Sequence, residues 1–285
     1  MKKRAALHNL GCKVNAYETE AMRQLLEEDG YEIVPFEPGA DVYVINTCTV
    51  TNIADRKSRQ MLHKARKMNP DAIVVAAGCY VETADGGVEK DPAIDIILGN
   101  NQKNQLVSVI RDFEQKRAGK RAEEPSGAMT KKIDINHTKE YENLIIDRTE
   151  NRTRADIKVQ DGCNQFCTYC IIPFARGRVR SRDTQDVLQE VRALAASGCQ
   201  EIVLTGIHLS SYGVDLGEGM DLTALIEAVH EVDGISRIRL GSLEPGIVTE
   251  KFAYTLAELP KVCPHFHLSL QSGCDTVLKR MNRRY

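Results

Sequence analysis

Three cysteines, Cys163, Cys167 and Cys170, stand in the spacing C-x-x-x-C-x-x-C within "GCNQFCTYC". Thiolates are the standard ligands of iron–sulfur clusters and of zinc. A closed zinc site takes four ligands, and a disulfide framework takes an even number of cysteines. Three thiolates on a four-iron cluster would leave one iron open to an outside ligand. Three on zinc would need a histidine, and the loop has none; His208 and His137 are options by residue type alone. Both metals stay open on spacing, with the cluster ahead of zinc.

A second, looser set repeats the theme. Cys12 lies in "NLGCKVN", Cys48 in "INTCTVTN" and Cys79 in "AAGCY". Each follows a short branched apolar run, so each is expected just past the carboxyl end of a parallel strand. In a doubly wound sheet those ends share one crevice, where ligands bind. Gly11 and Gly78 stand beside two of the three and would let backbone approach a bulky ligand. Taken singly, each cysteine reads as a small buried hydrophobe. As a set they read as a second three-thiolate site. Cys199, Cys263 and Cys274 sit at turns or beside Pro264 and read as structural.

The elements that must position these residues fall into two units. Residues 1–115 alternate strand-like runs ("AALHNL", "DVYVINT", "AIVVAAG", "IDIILG") with helical patterns, the signature of a doubly wound parallel sheet. Residues 116–145 are polar and aperiodic and read as a linker with room for one short strand. Residues 146–285 hold "ADIKVQ", the cysteine loop, then "EIVLTG", "RIRLGS" and "HFHLSL" separated by amphipathic helices. That is a βα series of the barrel type, with site residues at strand ends. Four strands cannot close a barrel, so a partial barrel is expected, C-terminally truncated.

The net charge of −2 from 38 basic and 40 acidic residues says little about partners. Any nucleic-acid footprint must be local. Three local runs qualify. Arg176, Arg178, Arg180 and Arg182 in "ARGRVRSR" form an arginine stripe suited to phosphate oxygens, and residues 56–67 carry six Lys or Arg and no acid. A solvated charged face is the plainer reading of each. "KRMNRRY" is a third basic patch. Nine cysteines without an export signal point to a reducing, cytoplasmic setting, and no apolar window is long enough to span a membrane.

The loop "GCNQFCTYCIIPFARGRVRSR", joined to "LGCKVN", "NTCTVTNIADRKSRQ" and "GCY", resembles the radical S-adenosylmethionine (SAM) methylthiotransferases. The resemblance implies two 4Fe–4S clusters. Cys163, Cys167 and Cys170 would hold the one that binds SAM, and Cys12, Cys48 and Cys79 an auxiliary one that delivers sulfur. It also implies roles at the strand ends. Tyr169 would lie against adenine, Gly206 would admit the ligand closely, and Ser242, Glu244 and Gln271 would meet the ribose and methionine parts of SAM. Arg239, inside the third strand, is a weaker option. "GCKVN" and "NTCTVTNIAD" resemble the branch acting on N6-threonylcarbamoyladenosine in tRNA rather than the isopentenyladenosine branch. The expected reaction places a methylthio group at C2 of that base, with a flavodoxin- or ferredoxin-type electron donor and a sulfur donor as partners. Longer members of the family finish the barrel and add an RNA-gripping TRAM domain, absent here. The competing class is a non-catalytic iron–sulfur or zinc module that binds RNA; polar residues at a ligand-binding mouth argue against it.

Overall fold

The computed structural model describes residues 2–84, 86–119, 127–148 and 153–285. Part of the expected linker, and residues 149–152 near the start of the expected second unit, lie outside them. The chain divides into two compact units. One comprises Met1–Thr138 with Phe174–Arg176, the other Lys139–Pro173 with Gly177–Tyr285.

In the N-terminal unit, β1 (Arg4–Asn9), α1 (Lys13–Glu28), β2 (Glu32–Ile33), β3 (Val42–Thr47), α2 (Asn52–Met68), β4 (Ile73–Gly78), α3 (Cys79–Thr83), β5 (Ile96–Leu98), α4 (Leu106–Gly119) and β6 (Met129–Lys131) follow in chain order. The sheet runs β2-β1-β3-β4-β5-β6 with every pairing parallel. Every residue of β3 and β4 is buried. Strand side chains alternate between faces, so each face needs its own cover. Val42, Val44, Val75, Ala77, Ile96 and Leu98 pack with α1 and α4 through Met22, Leu26, Leu106 and Ile110. Tyr43, Ile45, Val74, Ala76 and Ile97 pack with Leu62 and Ala65 of α2 and with Tyr80 and Val81. The chain leaves β1 for β2 on one side and returns to β3 on the other. That reversal is the topological switch point of a doubly wound sheet.

In the C-terminal unit the order is β7 (Arg154–Asp161), α5 (Ile172–Ala175), β8 (Arg180–Ser181), α6 (Thr184–Ala196), β9 (Glu201–Gly206), α7 (Leu222–His230), β10 (Arg237–Leu240), α8 (Glu250–Ala257) and α9 (Asp275–Arg280). Strands β7, β9 and β10 are parallel, and the short β8 pairs antiparallel with β7. This is a partial β/α barrel, its long helices started by side-chain caps from Asp183, Asp221 and Thr249. The expected fourth strand, "HFHLSL", is a correction. Within it only the isolated bridge Leu243↔Leu268 forms, and a second, Ile238↔Val262, precedes it. The partners are five residues apart on one side and six on the other, so the register slips and no continuous ladder forms.

The turn from β7 into the cysteine loop depends on Gly162. Its φ is +71°, and a Cβ there would lie 1.8 Å from the carbonyl oxygen of Arg178. Replacing it with alanine should therefore cost well over about 2 kcal/mol, through strain and backbone displacement together. Thr249→Ala removes only one cap hydrogen bond to the Phe252 N–H and should cost about 1 kcal/mol. Thermal unfolding of the iron-free chain should show a clearly larger fall in Tm for Gly162→Ala than for Thr249→Ala.

Candidate functional site

In the N-terminal unit the three cysteines occupy equivalent places. Cys12 is the N-cap of α1 beyond β1, Cys48 follows Thr47 at the end of β3, and Cys79 opens α3 directly after β4. β1 and β3 flank the switch point. Cys48 and Cys79 are buried and Cys12 is exposed. A Cβ on Gly11 would stand 2.9 Å from the Cys48 sulfur, so the Cys12 loop lies directly against Cys48. Gly78, with φ +93°, carries the chain past Thr47 so closely that a Cβ would meet its carbonyl oxygen at 2.6 Å. The Cys48 backbone is clasped by Ser58, whose hydroxyl accepts from the Cys48 N–H at 3.2 Å and donates to its carbonyl at 3.0 Å. Asn15 of α1 joins two of the loops. Its amide donates to the carbonyls of Leu10 (2.7 Å) and Thr47 (2.9 Å).

Beneath Cys79 lies a fully buried charged cluster of Glu18, Lys103 and Arg176. Arg176 Nη1 is 2.8 Å and Lys103 Nζ 3.0 Å from the Glu18 carboxylate. Arg176 Nε donates to the Cys79 sulfur at 3.3 Å, and Nη2 donates to Asn15 Oδ1 at 2.5 Å. Burial pushes the Cys79 thiol up, while Arg176 and Lys103 pull it back down.

In the C-terminal unit the cysteine loop leaves β7 and closes on itself at its neck. Cys163 N–H donates to the Gly177 carbonyl at 3.0 Å, and Asn164 Oδ1 accepts from the Val179 N–H at 3.1 Å. Within the loop Cys170 N–H donates to the Cys167 carbonyl at 2.9 Å. Burial pushes the Cys163 thiol up to about 11; the Gln165 N–H opposes this, and the facing Cys170 and Cys167 add to it. Burial likewise pushes the Cys170 thiol up, and a cationic cluster, which takes such ligands as thiolates, would offset that cost.

The segment after α9 holds this loop in place. Asn282 Nδ2 donates to the carbonyls of Gln165 and Phe166, both at 3.0 Å, and Thr168 N–H donates to Met281 O at 3.2 Å. Arg283 Nη1 donates to the Cys167 sulfur at 3.3 Å. "KRMNRRY" reads in sequence as a basic patch, which gives no sign of this clamp. Arg283 also pairs with Glu244 at 3.0 Å, and Glu244 receives Gln165 Nε2 at 3.3 Å and faces His208 Nε2 at 3.1 Å. The His208 hydrogen bond, ahead of Arg283, holds the Glu244 carboxyl below the usual carboxylate range. A cleft of about 460 Å³ opens here, lined among others by Gln165, His208, Ser210, Glu244 and Arg284.

Of the other expected ligand contacts, Gly206 ends β9, where a Cβ would press on Gln160 Oε1 at 2.9 Å. Tyr169, Ser242 and Gln271 are exposed, and among the described residues no hydrogen bond ties Ser242 or Gln271 to the cysteine loop. Arg239 is committed to Glu201 at 2.8 Å. The histidines proposed for zinc point elsewhere. His208 meets Ser211 and Glu244, and His137 meets Asp134. Among the described residues no three His, Cys, Asp or Glu side chains gather around one ion. The donor set in each unit, three thiols, is of the kind that iron–sulfur clusters take.

The arginine stripe is a correction. Arg176, Arg180 and Arg182 are fully buried, so their guanidinium groups do not face an RNA backbone. Arg182 pairs with buried Glu190, and Arg180 donates to the Arg178 carbonyl beside Asp161. Only Arg178 is partly exposed, and it lies 4.5 Å over the Phe166 ring. Buried carboxylates draw the alternate arginines inward. By contrast α2 keeps Arg56, Lys57, Arg59, Lys64 and Lys67 exposed opposite buried Ser58, Leu62 and Ala65. Cys199 is buried with its sulfur on the carbonyl of Glu201 at 3.4 Å, Cys263 is half-buried, and Cys274 is exposed.

Residues 4–99 match the uncharacterized protein family UPF0004, and residues 157–285 match the radical SAM superfamily. The chain is 43% identical over 98% of its length to a threonylcarbamoyladenosine tRNA methylthiotransferase MtaB of Bacillus subtilis, covering 60% of that protein. It is 39% identical over 99% of its length to the MtaB of Aquifex aeolicus, covering 66%. It is 36% identical over 96% of its length to a tRNA-2-methylthio-N(6)-dimethylallyladenosine synthase of Dictyoglomus thermophilum, covering 61%. The chain thus spans under two thirds of the length of these curated relatives. The fold is similar to that of TsrM, a radical S-adenosylmethionine methyltransferase from Kitasatospora setae, with a TM-score of 0.64 at 16% identity, covering all of this chain and 63% of that one. The chain thus carries a UPF0004 unit ahead of a radical SAM unit, and along nearly its whole length it is similar to radical SAM tRNA methylthiotransferases.

Proposed function

We propose that this chain carries the catalytic units of a tRNA methylthiotransferase that acts on N6-threonylcarbamoyladenosine at C2. The observation that carries the reading is the pair of three-cysteine sets, each at the carboxyl ends of parallel strands, one per unit. Cys163, Cys167 and Cys170 would hold one 4Fe–4S cluster, and Cys12, Cys48 and Cys79 a second. Bound there, the first would supply reductive cleavage of SAM, and the second a place for sulfur.

The protein's own part is to bind, orient and exclude water. The neck at Gly177 and the clamp from Asn282 hold the three thiols of the radical loop in one arrangement. Glu244 stays ionised at neutral pH because its carboxyl is held low, so it is ready to accept from a ribose diol. The cleft beside it is where SAM would lie, and Tyr169, Gly206, Ser242 and Gln271 remain its proposed further contacts. The exposed basic face of α2 suits RNA phosphates. An electron donor of flavodoxin or ferredoxin type and a sulfur donor complete the reaction. Relatives named for threonylcarbamoyladenosine include the 43% and 39% matches, and those named for dimethylallyladenosine reach 36%, which favours the former substrate.

Anaerobic reconstitution should load roughly eight irons per chain, and reduction with SAM present should release 5′-deoxyadenosine. Stoichiometric zinc without cleavage would sink the reading. Cys48→Ala should lose about half the iron and all thiolation but keep SAM cleavage; Cys167→Ala should lose the cleavage. Glu244→Gln should weaken SAM binding about tenfold, roughly 1.4 kcal/mol, by calorimetry of the reconstituted chain. Mass spectrometry of tRNA nucleosides from a strain lacking the gene should show loss of the methylthio form of N6-threonylcarbamoyladenosine. Loss of the methylthio isopentenyl form instead would transfer the assignment to the other branch.

A further inference from the structure

We propose that Arg176 is the positioning residue of the auxiliary site. Through one buried guanidinium it would fix Cys79 directly, fix the Cys12 and Cys48 loops through Asn15, and set the reduction potential of whatever cluster the three cysteines hold. This rests on the reading that Cys12, Cys48 and Cys79 carry a cluster. Arg176 lies six residues after Cys170 in sequence, yet it packs as part of the N-terminal unit.

The geometry uses the whole fork. Nε donates to the Cys79 sulfur at 3.3 Å, Nη1 to Glu18 at 2.8 Å, and Nη2 to Asn15 Oδ1 at 2.5 Å and to Glu18 at 3.1 Å. Asn15 uses its other end for the carbonyls of Leu10, two residues before Cys12, and of Thr47, which ends β3 directly before Cys48. So three loops, distant in sequence, are referred to one side chain. A lysine presents a single point of charge and cannot serve three acceptors in fixed directions. Asn100 closes the far side. Its Nδ2 donates to Ala175 O at 2.7 Å and lies 3.8 Å from the Cys79 sulfur, while its Oδ1 accepts from Lys103 at 2.6 Å.

The charge balance gives the arrangement an electronic effect. Arg176 and Lys103 both pair with Glu18, so the three together leave one positive charge beside Cys79, with the Glu82 carboxyl as the next acid that feels both cations. A donor and a buried positive charge next to a ligating sulfur favour the more reduced, more negative cluster. Removing the guanidinium should lower the potential, and removing the carboxylate should raise it.

The test uses a chain in which Cys163, Cys167 and Cys170 are all replaced by Ala, so that only the N-terminal set can load. After anaerobic reconstitution its cluster is titrated potentiometrically, with the spectrum of the reduced form as readout. Arg176→Gln should shift the midpoint to more negative values, Glu18→Gln should shift it to more positive values, and Arg176→Lys should fall between Arg176→Gln and the parent. If the parent loads no cluster, the auxiliary-cluster reading itself fails. If the parent loads one and Glu18→Gln leaves its midpoint unmoved, this proposal is overturned, whether or not Arg176→Gln holds iron.

Discussion

Burial of both faces of β3 and β4 is the constraint from which the N-terminal unit follows. A strand apolar on both sides must be covered on both sides, and with parallel pairing the cover comes from the crossover helices. Helices α1 and α4 take one face and α2 and α3 the other, so the chain must reverse direction beside β1. The reversal leaves a crevice at the carboxyl ends of β1 and β3. Cys12, Cys48 and Cys79 each lie at the carboxyl end of a strand of this sheet, and hydrophobic cover, not any feature of the cysteines, sets those strands side by side.

The two cysteine sets are supported in different ways. The radical loop takes its support from backbone and amide groups: the Gly177 carbonyl, the Asn164 side chain and the two-pronged clamp of Asn282. The N-terminal set takes it from buried charge. Burying Glu18, Lys103 and Arg176 carries a large desolvation penalty, which only close pairing and full hydrogen bonding offset. Such a cluster stabilises little against an apolar core of the same volume. Its worth lies in direction, since charged groups with few allowed partners hold loops to one geometry.

Much of this was legible in the sequence because it rests on local rules. The parallel strands of the first sheet show as branched apolar runs. Gly30 and Gly198, readable as helix stops, close α1 and α6 with the paired 6→1 and 5→2 bonds of a Schellman cap. The cysteine spacing of the radical loop is plain. What was hidden depends on long-range pairing. "ARGRVRSR" reads as an outward stripe because its partners, Glu18 and Glu190, are invisible as partners until the fold is known. "HFHLSL" alternates like a strand, yet only one bridge forms within it, out of register with the bridge before it. "KRMNRRY" reads as charge, while its structural work is done by Asn282 and by one arginine on a sulfur.

The neck of the radical loop also has an entropic side. Gly162 permits backbone contact with Arg178, and the Cys163–Gly177 hydrogen bond seals it, so the ends of the loop are fixed whatever lies between. Closure entropy grows only slowly with length, by about 0.6 kcal/mol for each doubling. Insertions or replacements inside the loop therefore barely alter the free energy of closing it. Variation there is filtered by what the loop must hold, whereas the residues at its neck answer for whether it closes at all.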